Sequence, residues 1–210
     1  MKKLLTILLA TICLFALCAC GSNSDSNQGT NPTGTNPIKV GVVQTTQHPA
    51  LDAATQGFVD ALKENGITNV DVQNASGESA NCSTIVGNFV ADGVNLIMAN
   101  ATPALQAASA ATDTIPVLGT SITVYDVVLG GSVPANVSGT TDLAPLDEQA
   151  KMITELFSEA KKVGILFCSA EANSQYQVDK ISEFLKEDGI ETVNYVFNDS
   201  NDITAVTEKA

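Results

Sequence analysis

From residue 38 onward, hydrophobic positions follow two alternating spacings along the chain. Short apolar runs rich in β-branched residues, such as 38–43 (IKVGVV), are typical of parallel strands buried on both faces. Between these runs, apolar residues recur every three or four positions, as in 50–65, and this spacing predicts amphipathic helices. The predicted strands are 38–43, 70–72, 95–99, 115–118, 136–139, 162–167 and 191–196, and the predicted helices are 50–65, 79–92, 102–111, 145–160 and 174–188.

This alternation predicts an α/β fold with parallel sheets, since strands separated by helices form βαβ units. Two stretches of sequence have the same order of elements. The strands at 38–43 and 162–167 are each followed by a polar loop, a long helix that ends at Gly66 or Gly189, and another strand. This repeated order predicts two lobes, residues 38–135 and 136–210, and the alternative is that any two buried strands look alike. A helix begins after 199–202 without finishing, so we expect an incomplete second lobe and a longer natural protein.

The first residues have a different pattern. A cationic head precedes the apolar run 4–17, which is shorter than the roughly 20 residues of a membrane-spanning helix and is typical of a secretory signal. The segment 17–21 (LCACG) resembles the bacterial lipoprotein box, whose final cysteine is acylated. Cys18 occupies a position where that box more often has Ser, Thr or Ala. The resemblance implies a signal peptide over residues 1–19 and a lipid such as palmitate on Cys20, and an ordinary cleaved signal is the alternative.

Residues 20–37 then predict a lipidated cysteine and a flexible tether, because 21–37 contains no hydrophobic residue. A lipid and a solvated tether would hold the folded part at the extracytoplasmic face of the cell membrane without a spanning helix.

Composition excludes several classes of function. The net charge is −13, and all ten Lys+Arg residues are lysine, so the chain lacks the basic surface that nucleic-acid binding needs. One histidine, His48, argues against a histidine-rich metal site or a histidine-dependent catalytic relay. The chain also has no GxxxxGK[ST] or GxGxxG loop after its first strand, no GxSxG and no HExxH. We therefore expect no enzyme, no cofactor, no metal and no nucleic-acid partner.

The candidate ligand site lies where parallel strands end and helices begin, because ligands of open α/β sheets bind there. At 48–49 and 102–103 a polar residue at the helix cap is followed by proline at the first helical position. Backbone N–H groups at such ends suit an anionic ligand group, although each turn alone is also an ordinary cap. Asp142 can bind a ligand amine or cap the next helix, and Glu171 is better explained as a solvated residue.

Four blocks of sequence resemble the substrate-binding lipoproteins of ABC transporters, of the kind associated with tryptophan or tyrosine uptake. The blocks are 39–62 (KVGVVQTTQHPALDAATQGFVDAL), 99–108 (ANATPALQAA), 138–145 (SGTTDLAP) and 161–178 (KKVGILFCSAEANSQYQV). The resemblance implies a type I periplasmic-binding-protein-like fold, in which two doubly wound parallel-sheet lobes are joined by crossing strands. The chain departs from the family at 123–126 (TVYD), where members commonly have a Thr-Asp-Pro-like turn.

The resemblance also implies a function and a set of ligand-binding residues. The chain would be the solute-binding component of an ABC importer and would act as a monomer. Its two lobes would close on an amino acid and deliver it to a membrane permease. That the amino acid is aromatic rests on the resemblance alone. A lipid-anchored sensor ectodomain that presents its ligand to a receptor is the alternative. The implied ligand-binding residues are Gln44, His48, Ala101, Thr102, Pro103, Ser121, Asp142, Asn173, Ser174 and Tyr176.

Overall fold

The structure is a computed structural model that describes residues 37–198 and 201–210. The predicted signal peptide, the predicted lipidation site Cys20 and nearly all of the predicted tether lie outside the described residues. Within the described residues, every helix is too short or too polar to span a bilayer.

Strands and helices alternate along the described chain, as the sequence predicts. The strands are β1 (Lys39–Gln44), β2 (Asn69–Asn74), β3 (Leu96–Asn100), β4 (Val117–Ile122), β5 (Val137–Thr141), β6 (Lys162–Cys168) and β7 (Glu191–Phe197). The helices are α1 (Pro49–Glu64), α2 (Ser79–Ala91), α3 (Thr102–Ala111), α4 (Tyr125–Val128), α5 (Leu146–Leu156), α6 (Ala172–Glu187) and α7 (Ile203–Thr207). The sequence does not predict α4, because a single turn is too short to display a helical period. Helix α5 ends four residues earlier than predicted, at Leu156.

The strands form two sheets that are parallel throughout. The first has the order β2-β1-β3-β4-β5, and the second consists of β6 and β7. The predicted parallel α/β arrangement is therefore confirmed. The predicted lobe boundary at residue 136 stays a prediction, and the pairing of β5 with β4 assigns 137–141 to the first sheet.

Helices cover both faces of the first sheet. On one face, Phe89 of α2 and Leu105 of α3 pack into a cluster of fully buried residues. On the other face, Phe58 and Leu62 of α1 pack against a smaller cluster that includes Met98. Burial of each large apolar side chain contributes about 1.5–3 kcal/mol, so these two layers hold the ends of the strands in a fixed relation.

The core beside the second sheet is smaller. Ala150, Leu185 and Ile190 are its buried residues. Met152 and Leu156 on α5 remain exposed, with 53% and 68% of their surface accessible. The first sheet is therefore the better-packed part of the described structure.

A close contact between β1 and α2 depends on a glycine. A Cβ atom on Gly41 would lie 2.6 Å from the ring of Phe89, which is closer than carbon atoms approach without displacement. The absence of a side chain at Gly41 therefore lets the Phe89 ring rest directly on the strand.

We expect Gly41→Ala to lower the free energy of unfolding by about 1–3 kcal/mol, because the added methyl group overpacks the core against Phe89. Gly57→Ala is the matched control, since Gly57 is exposed in α1 and its added Cβ meets nothing within 4 Å. That variant should gain about 0.5–1 kcal/mol from helix propensity. Urea denaturation of both variants measures the two changes, and a fall at Gly41 no larger than the change at Gly57 would contradict the packing argument.

Candidate functional site

The turns at the carboxyl ends of β1, β3 and β4 border a cavity of about 600 Å³, which the loop between β6 and α6 also borders. We call this cavity the cleft. Its volume lies in the range of about 300–1,000 Å³ that is typical of small-molecule sites. The residues that line the cleft are Thr45, Thr46, His48, Ala50, Leu51, Ala101, Thr102, Pro103, Ser121, Thr123, Asp142, Glu171, Asn173 and Gln177.

A second cavity, of about 830 Å³, adjoins the cleft and extends it between the two sheets. Residues that line both cavities include Thr45, Thr102 and Asn173. The second cavity continues past Ser174 to Cys168 at the end of β6. Both sheets therefore contribute to one continuous depression.

The structure brings most of the predicted ligand-binding residues together. Those that line the cleft are His48, Ala101, Thr102, Pro103, Ser121, Asp142 and Asn173. Ser174 lines only the adjoining cavity, Gln44 lines a neighbouring cavity of about 670 Å³ beside β2, and Tyr176 lines none of these three. The roles of all ten residues in binding a ligand stay predictions.

Buried hydrogen bonds attach the start of α1 to the ends of β1 and β3. The Gln44 side chain accepts a hydrogen bond from Thr55 Oγ1 at 2.6 Å and donates one to Asp52 at 2.6 Å. Asn100 Nδ2 donates to Leu51 O at 2.8 Å and to Thr55 Oγ1 at 2.9 Å. Gln44 is therefore engaged in holding helix to sheet, with its side chain only slightly accessible.

Thr45 makes the corresponding attachment for α3. Its hydroxyl donates to Asn100 O at 3.1 Å and accepts from the backbone N–H of Ala104 at 3.3 Å. Because these residues are buried, the bonds are shielded from water and fix the first turn of α3 relative to the strand ends.

His48 caps α1 with its ring. Nδ1 accepts a hydrogen bond from the backbone N–H of Ala50 at 3.2 Å, and Pro49 occupies the first helical position. An accepting Nδ1 carries no proton, so in the neutral ring the proton is on Nε2. The imidazole therefore both caps the helix and has an N–H donor at the edge of the cleft.

Three non-glycine residues of the described chain have a positive φ, and all three lie near the carboxyl ends of strands of the first sheet. They are Ser76 (φ 56°), Ala101 (φ 78°) and Ser121 (φ 57°). Ala101 has a ψ of 164°, a combination that is almost confined to glycine and costs about 1–3 kcal/mol. Two of the three, Ala101 and Ser121, line the cleft. Residues with strained backbone cluster at functional sites, so their position supports the cleft as the site.

The electrostatics of the cleft combine positive helix ends with negative side chains. Helix α3 and helix α6 begin at the cleft, and neither has a side-chain hydrogen bond from its capping residue. Asp142 and Glu171 are the charged residues of the lining, which contains no lysine. The arrangement can attract a carboxylate to a helix end and an ammonium group to a carboxylate.

Sequence reasoning missed part of the lining. Leu51 and Gln177 lie inside α1 and α6. The helical period of the sequence separates buried from exposed positions, but it does not show which of them face a cavity. Thr45 follows a strand within a recognised turn, and its burial and double hydrogen bond could not be foreseen. Glu171, interpreted as a solvated residue, is exposed and also borders the cleft.

Comparison with known proteins identifies the family of the chain. The family model for ABC transporter substrate binding proteins matches residues 39–210. A tyrosine-binding protein of Clostridioides difficile (strain R20291) is 33% identical over 217 residues, an alignment that covers 96% of this chain and 62% of the relative.

Two solved structures have the same fold. The ABC domain in complex with L-Trp from Streptococcus pneumonia is 31% identical, with a TM-score of 0.75 over 80% of this chain and 60% of that chain. A conserved domain protein from Vibrio cholerae o1 biovar eltor is also 31% identical, with a TM-score of 0.77 over 83% and 62% of the two chains. These likenesses confirm the expected type I periplasmic-binding-protein-like fold, and the chain spans about 60% of the length of these relatives.

The matched family consists of binding proteins, which confirms the expectation that the chain is not an enzyme. The chain therefore belongs to the family of ABC transporter substrate-binding proteins, as shown by the match to the family model and by the identity to the tyrosine-binding protein.

Proposed function

We propose that this protein is the solute-binding component of an ABC importer and that its cleft binds an aromatic amino acid. The observation that carries the proposal is the cleft itself, which combines two helix amino termini with the carboxylates of Asp142 and Glu171. An amino acid carries the complementary pair of charges. The names of two relatives, one tyrosine-binding and one solved with L-Trp, support the aromatic class.

In the proposed binding mode, the carboxylate of the ligand lies at a helix amino terminus and its ammonium group at a side-chain carboxylate. The start of α3, at Thr102, supplies N–H and hydroxyl donors for the ligand carboxylate. Asp142 accepts hydrogen bonds from the ammonium group, and charge-assisted bonds of this kind are stronger than neutral ones. The Leu51 side chain provides apolar surface for the aromatic ring.

Closure of the two lobes on the ligand is proposed to select the state that a permease recognises. His48 and Ser121 border the cleft from the first sheet, whereas Asn173 and Gln177 border it from helix α6 of the second. A ligand that contacts both sides stabilises whichever arrangement brings them together.

We also propose that the protein is anchored through a lipid on Cys20 at the extracytoplasmic face of the cell membrane. The support is the box 17–21 and the tether 21–37, which has no hydrophobic residue. In this arrangement residues 1–19 are the signal peptide, and the binding lobes follow the tether.

The ligand assignment predicts saturable binding of L-tryptophan or L-tyrosine by the full chain. Since the chain has no tryptophan, indole fluorescence follows L-tryptophan without background from the protein, and calorimetry follows L-tyrosine. We expect Asp142→Asn to weaken binding roughly tenfold, through the loss of a charge-assisted hydrogen bond. Asp147→Asn is the control, because Asp147 is exposed in the first turn of α5 and should leave affinity unchanged. Binding of neither amino acid by the unaltered chain would contradict the assignment.

The strained turn predicts an unusual response to glycine. Ala101→Gly should raise the free energy of unfolding by about 1 kcal/mol, because glycine adopts this backbone conformation without strain. Ala110→Gly, at an exposed position of α3, should instead lower it by about 1 kcal/mol. Thermal or urea unfolding measures both changes, and a loss of stability in Ala101→Gly would contradict the assignment of strain to this turn.

The proposed anchor predicts that Cys20→Ser abolishes incorporation of labelled palmitate and releases the protein from the membrane fraction of a lipoprotein-processing bacterium. Cys18→Ser should leave both properties intact, since the lipoprotein box commonly has serine at that position. Labelling that survives Cys20→Ser would exclude lipidation at this cysteine.

A further inference from the structure

Tyr125 connects the last two strands of the first sheet through its hydroxyl group. Tyr125 Oη lies 2.9 Å from Gly119 O and 3.2 Å from Thr140 O, so its proton is directed at the backbones of β4 and β5. Gly119 and Gly139 are paired across the two strands. A Cβ atom on either glycine would collide with the hydroxyl, so the two glycines create the space that Tyr125 enters.

The strand segment beside this hydroxyl is irregular. The register of β4 against β5 shifts between Gly119 and Ile122, and Ser121 has a φ of 57° within the shift. Beyond it, the Asp142 N–H donates to Ile122 O at 3.0 Å. An irregularity of this kind redirects side chains on the strand that carries the extra residue, here β4 at Ser121. Ser121 lines the cleft, and so does Asp142, which follows the end of β5.

The surroundings keep the Tyr125 hydroxyl protonated. Burial raises the pKa of the Tyr125 phenol above its usual value of 10.0, the negative charge of Asp142 raises it further, and the backbone of Thr140 offsets part of the rise. The phenol therefore remains a neutral donor throughout the ordinary pH range.

We propose that Tyr125 is a positioning residue for Asp142, fixing β5 against β4 at Thr140, two residues before the carboxylate, so that Asp142 is directed at the ligand ammonium group. The inference rests on the proposed function, in which Asp142 binds the ammonium group of the ligand. Tyr125 lines neither the cleft nor the adjoining cavity, so its effect is transmitted through the backbone of β5. Amine recognition thereby depends on a residue in the segment 123–126, where the sequence departs from the resembled family.

The test compares each amino acid with its counterpart that lacks the amine. L-tyrosine is paired with 3-(4-hydroxyphenyl)propionate and L-tryptophan with indole-3-propionate, and affinities are measured for the full chain. Tyr125→Phe should weaken binding of the amino acid roughly five- to tenfold and of the amine-free analogue less than about twofold. In an Asp142→Asn background, Tyr125→Phe should no longer change the ratio of the two affinities, because the two residues act on the same group.

Tyr195→Phe is the matched control. Tyr195 belongs to β7, where its ring lies against Gly164 of the second sheet, and loss of its hydroxyl should leave the ratio of affinities unchanged. A general structural role for Tyr125 would weaken amino acid and analogue equally, and that result would overturn the inference while leaving the proposed function intact. Failure of the unaltered chain to bind either amino acid would overturn both.

Discussion

Parallel pairing of the strands is the constraint on which the rest of the structure depends. Since β2, β1, β3, β4 and β5 run in one direction, their carboxyl ends meet at one edge of the sheet, and the helices that follow begin there. Every group proposed to bind the ligand from the first sheet lies on one of these turns or, like Leu51, in the first turn of a helix that follows one. The same rule applies to β6, whose following turn approaches the cleft from the other side. A binding site made from distant segments of sequence is a direct consequence of this geometry.

The turns gain rigidity from buried polar contacts beneath the cleft. Gln44, Thr45 and Asn100 form hydrogen bonds that join two strands to the first turns of α1 and α3. The chain lacks arginine, and the lining of the cleft contains no lysine, so an anionic ligand group has to rely on neutral donors, such as backbone N–H groups at the helix ends and side-chain hydroxyls. Such donors are effective only if they are held in a fixed position, and the hydrogen-bond network beneath the site supplies that rigidity.

The sequence predicts the elements and the edge of the sheet at which a site would form, because both follow from periodicity and from the capping residues of helices. The seven predicted strands all occur, and the turns at His48 and Thr102 border the cleft as expected. What could not be predicted depends on contacts between distant segments. Gln44, which the resemblance assigns to the ligand, is engaged with Thr55 and Asp52, and Tyr125 reaches two strands from a helix of one turn. No local pattern encodes either contact.

The central claim is that one ligand contacts turns from both sheets, and hydrogen exchange of backbone amides with and without L-tryptophan or L-tyrosine tests it most directly. We expect the ligand to slow exchange in the first-sheet turns at 45–48 and 101–104 and, in the same experiment, at 171–175 after β6. Protection on both sides is the result that closure around a shared ligand predicts. Protection limited to the first-sheet turns, with no change at 171–175, would contradict binding between the two lobes.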